Sequence, residues 1–148
     1  MRAVLPLLAL TAPLPAIAHT PPPPPATRRP PPPRVQGPRC PLSTGAVFAG
    51  QYLCAQGSTA LTLRVTEVRG ATVRAEFDFA HPPTNVSGRY TLTGTCAGDR
   101  LSLSPEAWIR QPFGYVMVGM RGELLDGGAR LRGAITHPTC GGFDVTRR

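Results

Sequence analysis

From Val47 to Val145 the chain alternates apolar and polar residues in short runs broken by glycine. Leu61, Leu63 and Val65 alternate with Thr62, Arg64 and Thr66, and Val73, Ala75, Phe77 and Phe79 with Thr72, Arg74, Glu76 and Asp78. A period of two is the pleat of a strand with one face buried, and it does not fit a helix. Glu67-Val68-Arg69-Gly70 joins these two strands as a hairpin turn. Weaker alternation marks Tyr90 and Leu92, Leu101 and Leu103, Leu131 to Ile135 after the turn Asp126-Gly127-Gly128, and Phe143 with Val145, while Val47–Cys54 opens the set. Tyr115 to Met120 is apolar on both faces and reads as a central strand, and Pro105 to Arg110 suits one helical turn. The expectation is an all-β domain of about eight short antiparallel strands. Short turns favour a small meander barrel, with a sandwich as the alternative.

The segment before this domain cannot join it. Arg2, the apolar run Ala3 to Leu14 and the small residues Ala16-Ile17-Ala18 have the layout of a secretory signal peptide over 1–18. The run is shorter than the roughly 20 residues needed to span a bilayer, and no later stretch is long enough either, so no transmembrane segment is expected after cleavage. Residues 19–39 form a proline- and arginine-rich tether expected to be disordered, with ten prolines over 20–39. Such runs favour the polyproline II conformation and build no packed core. At about 3.1 Å per residue they would reach on the order of 60 Å. The β-domain then occupies 40–148.

All sixteen basic residues are arginine. Beside abundant Pro, Gly and Ala this fits GC-rich bacterial coding, so the missing lysine carries no functional weight. Residues 19–39 hold four arginines and no acid, whereas 40–148 holds eleven arginines against eight acids, a net charge of +3. Basic and acidic residues are mixed along the strands. A nucleic-acid partner, which calls for a basic stripe interleaved with aromatics, is therefore not expected. Cys40, Cys54, Cys96 and Cys140 are an even set without a CxxC motif. In an exported chain they read as two disulfides, with three pairings open, rather than a metal site.

Little in the sequence points to catalysis. His81 and His137 each precede a proline in expected loops, and there is no HExxH, GxSxG or paired-carboxylate motif. The chain reads as a non-enzyme without metal or cofactor. The densest signature is Trp108 to Val118, which holds the lone tryptophan, Arg110, a Pro112-Phe113-Gly114 turn and Tyr115. Trp108, Arg110 and Tyr115 could form a platform for a sugar ring or a partner surface, or Trp108 could plug the end of the barrel.

The pattern Gly50-Gln51-Tyr52-Leu53-Cys54-Ala55-Gln56-Gly57, Ser87-Gly88-Arg89-Tyr90, Trp108-Ile109, Gly114 to Val118 and Cys140-Gly141-Gly142-Phe143 resembles a small exported bacterial β-domain of unknown function, over about residues 50–146. That resemblance implies a β-fold in which Cys54 and Cys140 recur. It favours their pairing, leaving Cys40 with Cys96. Tyr52-x-Cys54 followed by Ser87-Gly88-Arg89-Tyr90 is also similar to periplasmic inhibitors of C-type lysozyme, small disulfide-bonded β-barrels. In that family a Ser-Gly segment enters the enzyme cleft, which would give that role to Ser87 and Arg89. The expected function is a non-enzymatic exported binding or structural module of the bacterial cell envelope, with a cell-wall polymer or envelope protein as partner. The alternative is an inhibitor of a wall-degrading hydrolase.

Overall fold

Eight strands follow one another in chain order: β1 Val47–Cys54, β2 Gly57–Arg69, β3 Thr72–His81, β4 Val86–Ala97, β5 Arg100–Arg110, β6 Met120–Leu125, β7 Arg130–Ile135 and β8 Gly142–Arg147. The computed structural model describes residues 39–148. The expected leader, 1–18, and nearly all of the expected tether, 19–39, lie outside the described residues. Each strand pairs antiparallel with the next, and β8 returns to β1, so the sheet closes into an up-and-down barrel. Closure gives every strand a neighbour on both sides over at least part of its length, which removes most of the edge that could template association.

The alternation read from the sequence becomes the inside and outside of the barrel. Phe48, Leu61, Leu63, Phe77, Leu92, Met120 and Leu131 are fully buried in the interior. Their side chains pack together as the core of the barrel. Gly94 and Gly133 keep the same inward parity, but a Cβ on either would collide with the carbonyl oxygen of the neighbouring strand, Ser102 O and Arg121 O respectively. Only glycine allows strands to approach so closely there.

One end is sealed by the chain entering it. Leu42 and Ala46 are buried beneath the barrel, Gly45 N–H donates to Val65 O (2.8 Å), and Cys40 is bridged to Cys96 of β4. Arg148 N–H donates to Val47 O (2.9 Å), so the carboxyl-terminal residue returns to the same end. The second bridge, Cys54–Cys140, ties the end of β1 to the β7–β8 connection at the opposite end. Both pairings are those the resemblance favoured.

Three local expectations are corrected. Pro105 to Arg110 is strand, not a helical turn: it continues β5 alongside β4 through two register shifts, which leave Glu106 and Ile109 as the extra residues. Such bulges break the period of two that reveals a strand. Tyr115 to Gly119 is not strand; only Met120 of the expected central strand enters the ladder, and β6 runs on to Leu125. The apolar residues before it cover the barrel's open end. His81 is not a surface loop residue but a buried one closing β3, with Nδ1 2.8 Å from Thr84 Oγ1.

Candidate functional site

The open end owes its shape to unequal strand lengths. β6 begins with Met120 opposite Leu103, while β5 continues to Arg110 with β4 as its only partner. β4 and the end of β5 therefore form a raised lip. The chain turns back at Pro112–Tyr115, where Tyr115 N–H donates to Pro112 O (3.3 Å) and Gly114 has φ 78°. A positive φ at the third position of a turn calls for glycine.

The returning segment is pinned across the mouth by aromatic residues. The hydroxyl of Tyr90 donates to Val118 O (2.9 Å) and accepts from Val118 N–H (3.2 Å). Tyr115 stacks on Phe79 with ring centres 5.5 Å apart. Trp108 meets Tyr90 edge-on at 5.1 Å and Phe79 at 6.4 Å. On the far side Thr136 N–H donates to Gly119 O (2.8 Å) and Gly141 N–H to Leu53 O (2.8 Å).

Between these elements lies an open cavity of about 420 Å³, lined by Tyr52, Gln56, Phe79, Tyr90, Tyr115, Val116, His137, Thr139 and the Cys54–Cys140 bridge among others. No Asp, Glu or Arg lines it. Burial pushes the Tyr52 hydroxyl up to about 12, against the opposing effect of its hydrogen bonds to Thr59 and Gln56. Burial also raises Tyr90 well above the usual tyrosine range, so both phenols stay neutral at ordinary pH. His137 Nδ1 lies 3.0 Å from Thr139 Oγ1 and 3.4 Å from Thr139 N, which holds the ring beside the Cys54–Cys140 bridge. The chemistry on offer is that of an aromatic, uncharged cup with a few hydrogen-bonding groups, which suits binding. Among the described residues no three His, Cys, Asp or Glu side chains are grouped to hold a metal ion.

The residues singled out from the sequence fall into two places. Trp108 and Tyr115 come together at the mouth, joined through Phe79. Arg110, Arg89 and Ser87 belong to the outer wall of β4 and β5. There Arg89 donates to Asp78 through Nε (2.7 Å) and also through Nη2, and Arg110 lies 3.8 Å from the same carboxylate. Of the cup residues, Tyr52 and Tyr90 enter the functional reading of the sequence only as motif residues of the resemblances and Phe79 not at all, since inward aromatics on alternating strands read as core. Phe113, fully exposed at the turn, was visible only as part of a loop motif.

The fold and this end define a closed eight-stranded up-and-down barrel with an aromatic mouth. No protein-family model, curated protein or solved structure matches the chain.

Proposed function

We propose that the protein is a non-enzymatic exported binding module of the bacterial cell envelope, and that the barrel mouth is its binding face. The observation that carries this reading is the placement of exposed apolar surface. Leu53, Ile109, Phe113 and Val116 are the exposed large hydrophobic residues among those described, and all four belong to the mouth end. Large apolar side chains exposed at one end of a barrel and not elsewhere on the described residues support an interaction site at that end. The leader-like start and the two disulfides support an oxidising, exported setting.

The test is co-sedimentation of the purified protein with a bacterial envelope fraction containing both membranes and wall. The chain is compared with a Phe113→Ser/Val116→Ser variant, whose changes touch exposed side chains only. Pelleting that the variant loses supports the mouth as the binding face; equal pelleting, or none, refutes it. The lysozyme-inhibitor reading uses another face, the outer wall with Ser87 and Arg89. Slowing of C-type lysozyme that is lost on replacing those two residues would favour it.

A further inference from the structure

The two ends of the barrel differ in kind. The connections at the mouth, residues 55–56, 82–85, 111–119 and 136–141, contain no Asp, Glu or Arg. The opposite end and the strand ends leading to it carry Arg39, Glu67, Arg69, Asp99, Arg100 and Asp126, among others. One end is thus charged and the other apolar. Phe113 crowns the apolar end on the Pro112–Tyr115 turn with a relative exposure of 103%, so no neighbour touches its ring from any side. Tyr115 and Trp108, aromatics with one polar atom each, lie behind it. The first arginine behind the turn is Arg110, whose side chain is 58% exposed and shares Asp78 (3.8 Å) with Arg89, two arginines to one carboxylate.

We propose that the mouth end seats on an anionic lipid bilayer surface, with Phe113 and Val116 entering the headgroup layer. This rests on the reading of the mouth as the binding face and names its partner. A flat, solid partner would touch Phe113 on one side only, whereas a fluid layer surrounds a side chain that projects freely. Entry of a loop into a headgroup layer calls for an uncharged apolar tip, and the connections at this end carry no Asp, Glu or Arg. Tyrosine and tryptophan favour the wet–apolar boundary, and arginine next to them favours the anionic headgroups. The carboxylate-free connections and the domain's excess of arginine over acid avoid repulsion by anionic headgroups.

The experiment is vesicle flotation with the chain from His19 onward, which omits the apolar leader and keeps the whole barrel. Vesicles are of phosphatidylethanolamine with phosphatidylglycerol, or of phosphatidylcholine alone, at low and high salt. The expected result is flotation with the anionic vesicles, partly retained in high salt, and weakened about tenfold or more by Phe113→Ser. Near-UV circular dichroism establishes that the variant is folded. Absence of flotation overturns the proposal. So does flotation that Phe113→Ser leaves unchanged and salt abolishes, which would be attraction by arginines alone. Sedimentation equilibrium showing a dimer that Phe113→Ser dissolves would make a second copy the occupant and overturn it too. If pure lipid fails while Phe113-dependent pelleting with whole envelope persists, the mouth remains the binding face and the lipid assignment alone is wrong; purified sacculi then identify a wall polymer.

Discussion

Replacing Trp108 with alanine separates a plug from a platform, and the structure sets the size of the effect. A tryptophan side chain presents roughly 200 Å². Trp108 is partly buried against the core, and covering about half of that area at ~25 cal/mol per Å² corresponds to about 2.5 kcal/mol. The edge-on contacts to Tyr90 at 5.1 Å and Phe79 at 6.4 Å add about 1 kcal/mol together. Trp108→Ala is therefore expected to lower unfolding stability by about 3.5 kcal/mol and Tm by about 14 °C. Trp108→Phe keeps an aromatic edge in place and recovers more than half of the loss. Because Trp108 is the only tryptophan, unfolding in urea is followed by circular dichroism rather than by its fluorescence. A loss below about 1 kcal/mol for the alanine variant would refute the packing reasoning. Binding measured per folded molecule then tells whether the ring also contacts a partner.

Three further outcomes follow from the barrel's construction. Removing the Cys54–Cys140 bridge, whose ends are 86 residues apart, costs about 4 kcal/mol in the chain-entropy treatment, read as a lower urea midpoint for the Cys54→Ala/Cys140→Ala variant. Gly133→Ala forces a methyl group onto Arg121 O and to within 2.5 Å of Gly122 Cα, and is expected to cost about 1–3 kcal/mol or more; a variant as stable as the parent would refute the close strand approach. In alkali, Tyr52 holds its proton to about pH 12 when folded, whereas an unfolded tyrosine releases it near its ordinary value of 10.0. The folded state binds the extra proton in that window, so stability is whole below pH 10 and declines as pH rises toward 12. In the ultraviolet titration of the phenols the step near pH 12 is expected to be absent from Tyr52→Phe, while the more deeply buried Tyr90 still titrates later.

The barrel was legible because most strands obey one rule without interruption: one polar and one apolar residue in turn, as in Leu61 to Thr66 or Thr72 to Phe79. Where the rule broke, there was a physical cause. In β5 the bulged residue Glu106 inserts an extra position, so Trp108 faces Tyr90 although counting from Leu103 would turn it outward, and Ile109 inserts a second one beyond it. Tyr115 to Met120 has the composition of a doubly buried strand because it covers the mouth, and burial without a ladder leaves the same apolar imprint. His81 lies at a strand end next to two prolines, and sequence shows the prolines but not that the ring folds inward. The site was half visible. Trp108 and Tyr115 stood out as a local motif, whereas Tyr52, Phe79 and Tyr90 come from three strands and meet only once the sheet has closed.

The position of the chain's two described ends has a practical meaning. Arg39 precedes the bridged Cys40 at the sealed floor, and Arg147 donates to Ser43 (2.8 Å) at that floor. A tag, dye or surface anchor joined behind Arg148 would therefore hold the barrel by its floor and present Phe113 to solution. Immobilised in this way on a sensor chip, every molecule would offer the same face to the analyte. Attachment through a residue of the 111–119 connection would hide it.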